Sequence, residues 1–379
     1  MRHKLNYSAF SILLIFLLSI STGVSAGTYG LTDSTFVSAD GPYVIYQEDG
    51  GMRIITIDSQ GVLKDSIYHV LPEDFVLSVT SSKGEYHFQV PLHSAERPSW
   101  EYKQPKKVFV MSDPHGRLDC VVSLLQGNGI IDENLNWNYD SNHLMILGDI
   151  FDRGDDVTQI LWLIYKLEQE AAQAGGCVSF LLGNHEPMVL ANDLRYCTPK
   201  YNLLANKLGI PYSQLFGANT ELGRWLATRN TMQKIGKDLY VHAGLSKEFY
   251  EWNLSIPTVN EEMSKALFMG KKERKELSAL TAFLYGNSGP IWYRGMVRDK
   301  EMYNPIPADT LGQILKRYDA KRIIVGHTIF EDVSTFHDKR VIDVNVNNAK
   351  NQEKGLGRGL LIEGKKYMIV GDEGVQREL

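Results

Sequence analysis

Short apolar runs, each closed by polar residues and a glycine, recur through the chain from about residue 106. Residues 108–111 (Val-Phe-Val-Met) lead into Ser112-Asp113-Pro114-His115-Gly116. Residues 144–147 lead into Gly148-Asp149-Ile150-Phe151-Asp152-Arg153-Gly154, and residues 178–182 into Gly183-Asn184-His185-Glu186. Residues 239–241 end at His242-Ala243-Gly244, and residues 323–325 at Gly326-His327-Thr328. Runs of this length and composition read as buried strands. Chemistry-bearing side chains at strand ends, followed by glycine turns, converge on one edge of a sheet, where open α/β folds place their sites.

The pattern elsewhere fills in the architecture. Residues 155–174 repeat Ile160, Leu161, Leu163, Ile164 and Leu167 at helical spacing, with Asp155 or Asp156 as cap. Residues 187–230 and 258–285 lack strand patterns and read as helical, an insertion spanning about 187–285. Residues 308–318 form another helix, and strands return at 340–346, 359–362 and 367–370. Upstream, residues 43–46 and 52–57 flank an Asp49-Gly50-Gly51 turn, and residues 75–80 and 86–90 flank Lys83-Gly84. Both pairs are antiparallel in character. Residues 91–106 carry Pro91, Pro98 and Pro105 and read as a linker. The domain order expected is therefore an N-terminal β module with linker at 27–104, then an α/β domain at 105–379.

The first residues are of another kind. Arg2, His3 and Lys4 precede an apolar stretch at 9–20 and a small-residue site at Val24-Ser25-Ala26. This is the pattern of a secretory signal peptide cleaved after Ala26, so export to the periplasm or medium is expected. The apolar stretch is short for a bilayer span, and no later segment could cross a membrane. The formal net charge is −5; without Arg2 and Lys4 it becomes −7, which argues against nucleic acid as a partner. Cys120, Cys177 and Cys197 read as free thiols, although an exported chain could oxidise two of them.

The strand-end residues Asp113, His115, Asp149, Asn184, His242 and His327 combine two carboxylates, an amide and three imidazoles. That donor set suits a pair of divalent ions, Mn²⁺ foremost, with Fe, Zn or Mg as alternatives. Asp149 is the natural bridge. Such a pair clamps a phosphate and lowers the pKa of a bridging water from about 15.7 toward 7. Taken in order, Asp-x-His, Gly-Asp-x-x-Asp-Arg-Gly, Gly-Asn-His-Glu, His-Ala-Gly and Gly-His-Thr resemble the calcineurin-like metallophosphoesterases, within them the phosphoprotein phosphatase family. The stretches 148–156, 192–196 and 289–295 resemble its Shewanella-like bacterial branch.

The resemblance implies an αββα two-sheet sandwich with helical insertions, and attack on phosphorus by a metal-bridging hydroxide. Asp113, His115 and Asp149 would hold one ion, and Asp149, Asn184, His242 and His327 the other. His185, oriented by Asp152, would protonate the leaving oxygen, and Arg153 and Arg294 would grip the phosphate. Arg195 and Tyr293 are candidate substrate contacts, and Glu186 supports the ligands rather than joining them. The expected substrate is a phosphorylated protein, with phosphotyrosine preferred. The rival readings are an exported small-molecule or nucleotide phosphatase that scavenges phosphate, and a non-catalytic phosphate-binding protein. One stretch departs from the branch: residues 343–348 read Asp-Val-Asn-Val-Asn-Asn where a glycine is usual after Asp-x, and no function is carried over there.

Overall fold

The computed structural model describes residues 36–347, 350–351 and 357–379; the expected export segment at 1–26 lies outside them. The described chain opens with β1 (Asp40–Tyr46), β2 (Met52–Ile57) and β3 (Leu63–Tyr68), an antiparallel sheet, and a hairpin of β4 (Val76–Thr80) and β5 (His87–Pro91). Strand β3 has no alternating pattern because it is exposed along nearly its whole length.

Two six-stranded sheets follow. The first holds β7 (Lys107–Met111), β8 (His143–Ile146) and β9 (Cys177–Phe180) side by side and parallel. β15 (Gly359–Glu363), β16 (Lys366–Gly371) and β17 (Gly374–Glu378) complete it with antiparallel pairing. The second runs in the order β13 (Ser334–Phe336), β14 (Val341–Asp343), β12 (Arg322–Val325), β11 (Asp238–Val241), β10 (Met232–Ile235), β6 (Glu101–Tyr102). All five motif-bearing runs are strands. The span expected to be a linker supplies β6, which pairs with β10, and β10 itself, unread in the sequence, lies between the two stretches expected to be helical and beside the expected strand β11.

Period-two alternation assigns each face. Val108, Val110, Met145, Leu147, Tyr240, Ile324 and Ile362 point between the sheets and form one buried layer. Their neighbours Phe109, Met111, Leu144 and Ile146 point outward, under α1 (Leu118–Gly127) and α2 (Val157–Gln173). On the far face Leu239, Val241, Ile323 and Val325 lie under α6 (Lys247–Trp252), α7 (Ile256–Lys265) and α10 (Ala308–Arg317). The result is helix, sheet, sheet, helix.

The N-terminal strands share the core of the first sheet. Val44, Ile55 and Val79 are buried in one cluster with Ile160 and Trp162 of α2. Trp162 Nε1 donates to the Pro42 carbonyl at 2.8 Å, and Lys200 Nζ meets Asp40 Oδ2 at 2.5 Å with both side chains buried. Neither aspartate expected to cap α2 does so through its side chain: Asp156 is the N-cap without a side-chain cap bond. Its carboxylate instead accepts from the backbone N (2.6 Å) and Oγ (3.0 Å) of Ser82 in the β4–β5 turn. Asp155 accepts from Thr198 Oγ1 at 2.6 Å. Both carboxylates serve tertiary contacts in preference to the local cap.

One buried group makes stability depend on pH. His143, 2 % exposed, lies between the sheets with Nε2 2.8 Å from Ser179 Oγ. Ser179 Oγ also accepts from Gln233 Nε2 at 2.6 Å, and its own hydroxyl hydrogen is available to a neutral His143 Nε2. Burial pushes this imidazole down to about 3. The unfolded chain therefore binds a proton that the fold refuses. Stability from this group is complete above the ordinary histidine value and is lost as pH falls toward 3. Between about pH 7 and about pH 5 the expected loss is roughly 2 kcal/mol. His143→Phe should show a smaller drop in urea midpoint over that interval, whatever its stability at neutral pH; an equal drop would clear His143.

Candidate metal centre

The carboxyl ends of strands from both sheets meet at one cavity of about 450 Å³, lined by Asp113, His115, Asp149, Asn184, His185 and His327 among others. The site thus spans the junction of two sheets, not one edge of one sheet. Asp113 and His115 follow β7, Asp149 follows β8, Asn184 and His185 follow β9, His242 follows β11 and His327 follows β12.

The backbone bends sharply to aim these side chains. Asp113 (φ 50°), His115 (45°), Asp149 (58°), Asp152 (72°), Arg153 (66°) and His327 (63°) all adopt the left-handed conformation. Each such residue costs about 1–2 kcal/mol, and strain of this kind gathers where geometry serves function. Close approach also explains a glycine of the motifs: a Cβ on Gly183 would overlap Asp149 Oδ1.

Asp149 is the hub. Its Oδ2 lies 3.3 Å from His242 Nε2, 3.8 Å from His115 Nε2 and 3.9 Å from His185 Nε2. Its Oδ1 accepts from the His185 backbone N at 2.9 Å. Ligand atoms of Asp149, His242 and His327 fall within 4.8 Å of one another, as do those of His115, Asp149 and His185. Asp113 belongs to neither trio. Its carboxylate is held by Ser112 Oγ, by the His327 backbone N at 3.2 Å and by Asn345 Nδ2 at 2.7 Å.

The donor set fits metal. His115 Nδ1 faces the Phe151 carbonyl at 2.8 Å, and His242 Nδ1 faces that of Leu147. A carbonyl only accepts, so each Nδ1 carries a hydrogen, and in the neutral ring each Nε2 turns its lone pair inward, the usual arrangement of a metal-binding histidine. His242 Nε2 then confronts Asn184 Oδ1 at 3.1 Å and His327 Nδ1 at 3.2 Å besides Asp149. His327 Nε2 is buried without a hydrogen-bond partner. Lone pairs crowd a space that calls for a cation. The electrostatics agree. Burial would depress His242, but Asp149 and Asp113 raise it to about 9. Burial would raise Asp149, but the imidazoles of His242, His185 and His115 hold it well below the usual carboxylate range. Burial also keeps His327 well below the ordinary histidine value.

His185 is placed differently. Its Nδ1 lies 2.5 Å from Asp152 Oδ2. Asp152 is wholly buried, and its other oxygen accepts from Cys197 Sγ at 3.0 Å. Burial opposes a charge on His185, yet Asp149 and Asp152 together raise it. Glu186, also wholly buried, accepts the backbone N–H groups of Gly183 (2.6 Å), Ile150 (2.7 Å) and Asp149 (3.1 Å). It ties the β8 and β9 loops together. Burial and the Asp149 charge push it up to about 7.

Arg153 and Arg294 both line the cavity. Arg153 lies over the Tyr196 ring, 5.0 Å from its centre. Arg294 donates to the His327 carbonyl at 3.1 Å and to Thr328 Oγ1 at 3.0 Å. Two expected contacts fall elsewhere. Tyr293 is 2 % exposed in the core, its hydroxyl donating to the Asn304 carbonyl at 2.6 Å; the one-residue shift presents Trp292 to the cavity instead. Arg195 pairs with Asp193 at 2.6 Å and lines an adjoining groove. Arg117, Arg298 and Asn345 line the cavity as well, and sequence reading missed all three. Asn345 lies in the stretch that departs from the branch pattern.

Residues 106–330 match the family model described as calcineurin-like phosphoesterase. The chain belongs to this family. The phosphoesterase is 33% identical to the cold-active protein-tyrosine phosphatase of a psychrophilic Shewanella species, covering 90% of this chain and 99% of that one with a TM-score of 0.80. It is 29% identical over 224 residues to Shewanella-like protein phosphatase 1 of Plasmodium berghei, spanning 59% of this chain but 61% of that protein's length. It is 26% identical over 320 residues to Shewanella-like protein phosphatase 2 of Arabidopsis thaliana, covering 73% and 80%. Family and centre together are those of a metal-dependent phosphatase.

Glu186 offers a test of how the centre is held. Glu186→Ala leaves three buried N–H groups without an acceptor, at about 1–3 kcal/mol each before relaxation. The denaturant midpoint should fall sharply, and calorimetric Mn²⁺ titration of the folded fraction should show weakened binding. Glu186→Gln, which keeps one acceptor oxygen, should lie between. Unchanged stability and affinity in the alanine variant would remove Glu186 from the framework.

Proposed function

We propose that the chain is an exported protein phosphatase with a dinuclear centre and a preference for phosphotyrosine. The observation that carries this reading is the crowding of metal-ligand side chains around Asp149, in a cavity that also holds a carboxylate-bound imidazole and four guanidinium groups. His115, Asp149 and Asp113 would hold one ion; Asp149, Asn184, His242 and His327 would hold the other. Mixed carboxylate, amide and imidazole donors favour Mn²⁺, with Fe, Zn or Mg as alternatives. When bound, such a pair supplies Lewis acidity toward the phosphoryl oxygens and a water ionised near neutral pH.

The chain's own residues do the rest. Arg153 and Arg294 stay charged and offer planar N–H pairs to the phosphate oxygens. His185, kept protonated by its carboxylate neighbours, donates from Nε2 to the departing oxygen while Asp152 fixes the ring through Nδ1. Cys197 fixes Asp152 in turn. Preference for phosphotyrosine is supported by the 33% identical tyrosine phosphatase, and by the aromatic rim that Tyr196 and Trp292 give the cavity. A phenolate also leaves more readily than an alkoxide. Export is supported by the sequence at 1–26 alone; N-terminal sequencing of the secreted protein should then begin at Gly27.

Asp149→Asn should abolish activity and weaken binding of both ions by calorimetry; full activity in metal-stripped wild type would end the dinuclear reading. His185→Ala should still bind metal and lose about 10²–10⁴-fold in rate. Its loss should be smaller with p-nitrophenyl phosphate than with an alkyl phosphate, whereas an equal loss would give His185 another task.

Substrate choice is tested by kcat/KM on matched phosphotyrosine and phosphoserine peptides and a nucleoside monophosphate. Tyr196→Ala should cost the phosphotyrosine peptide about 2–10-fold, the worth of one aromatic contact, and leave phosphoserine nearly unaffected. A preference for the nucleotide would replace this reading with phosphate scavenging.

A further inference from the structure

Two grooves leave the metal cavity in different directions, and their charges differ. One, of about 520 Å³, runs under the β4–β5 turn and shares Arg117 and Arg153 with the cavity. Its four cations (Lys83, Arg117, Arg153, Lys200) are balanced by four carboxylates (Glu85, Asp119, Asp155, Asp156). The other, of about 650 Å³, shares Asn184, Tyr196 and Trp292 with the cavity. It carries Arg195, Lys271, Arg274 and Lys275 against Asp193 alone. A local excess of three positive charges on a chain whose net charge is −5 is a directed feature.

Its far wall is α8 (Lys271–Leu277) with α9 (Ala279–Leu284). Lys271 and Lys275 stand one helical turn apart on the groove-facing side of α8. Both are exposed and neither has an ion-pair partner among the described residues, in contrast to Lys272, which lies 3.7 Å from Glu276. The wall is rigid. Arg274 is buried, donates to the carbonyls of Ala266 (3.1 Å) and Leu267 (2.9 Å), and lies 3.8 Å from the centre of the Tyr285 ring. Met188, Ala282, Phe283 and Trp292 give the groove apolar ground, suited to an extended peptide's aliphatic stems.

We infer that this groove receives an acidic segment of the phosphoprotein substrate, so that the enzyme selects phosphotyrosines flanked by glutamate or aspartate. This rests on the protein-phosphatase reading above. Phosphate enters between Arg153 and Arg294, the tyrosine ring passes Tyr196 and Trp292, and the flanking carboxylates reach Lys271 and Lys275. Charges that line the adjoining groove and not the metal cavity act on capture of substrate more than on the chemical step, and salt screens them over about 10 Å at 0.1 M.

The test uses three phosphotyrosine peptides: one with glutamates on the N-terminal side, one with them on the C-terminal side, and one with neutral residues. kcat/KM is measured for the Mn²⁺-loaded wild type and for Lys271→Glu/Lys275→Glu, each scaled to that protein's own rate on p-nitrophenyl phosphate, which carries no flanking carboxylates. The wild type should favour at least one acidic peptide by about tenfold at low salt, through KM. The preference should shrink at high salt and vanish or invert in the double variant. Equal rates on all three peptides, or a preference the double variant retains, would overturn the inference while leaving the protein-phosphatase reading intact. Turnover of p-nitrophenyl phosphate without turnover of any phosphopeptide would overturn both.

Discussion

The site depends on one unfavourable proximity: ring nitrogens, an amide oxygen and a carboxylate gathered around Asp149 with their lone pairs inward. Without a cation the cluster answers with protons, which is why His242 is driven up to about 9 while Asp149 is driven down. Removing either partner would leave a buried charge uncompensated, which costs more than the pair itself contributes. The arrangement is therefore justified by what it binds and not by the stability it lends. Left-handed backbone at Asp113, His115, Asp149, Asp152, Arg153 and His327 points the same way, since each is a local cost that the surrounding packing must offset.

That offset comes from the two sheets. Each is buried on both faces, and a strand fixed on both sides fixes the loop that leaves it. Glu186 adds a further link between the β8 and β9 loops, beside the bonds from His185 to Asp149 and Asp152: a short helix begins where the candidate-ligand loop ends, and its second residue turns back to accept three N–H groups. Asn345 plays a similar part toward Asp113 from the second sheet. The candidate ligands are thus braced across the junction of the sheets, as a bridging site between two ions would require.

Much of this was legible in the sequence, for physical reasons. Buried strands announce themselves by apolar runs, and residues after strand ends are few enough to read in order, so the five strands and the six candidate ligands stood out together. What failed did so where the signal was not local. Tyr293 and Trp292 are adjacent aromatics, and only packing decides which one faces the cavity. Asp156 carries a cap signature but is claimed by Ser82, seventy-four residues earlier. Strand β6 is two residues long and is a strand only because β10 lies beside it. Asn345 sat in a stretch whose pattern broke from the branch, so resemblance fell silent where the structure shows a hydrogen bond to Asp113.

The metal chemistry is indifferent to what the phosphate is attached to, so selection must come from the walls, and the walls are built into the fold. On one side α2 begins with its N-cap backbone N–H donated to the Gly116 carbonyl at 3.0 Å, its first helical N–H donated to Tyr201 Oη at 2.9 Å, and the Asp156 carboxylate bound to Ser82. A loop following the His115 turn, a helix of the insertion and the N-terminal hairpin are thereby joined at one helix end. The N-terminal strands therefore cannot be a detachable accessory: moving the β4–β5 turn moves the start of α2, and with it the loop that aims Asp152 and Arg153. On the other side Arg274 anchors α8 through backbone carbonyls and a tyrosine ring, leaving its neighbouring lysines free of structural duty. The opposite wall is also held to the site, through Arg274 and the Pro187 carbonyl at 3.4 Å, but it presents Lys271 and Lys275 without ion-pair partners among the described residues; under the proposed function, selection falls to that face and support to the charge-balanced one.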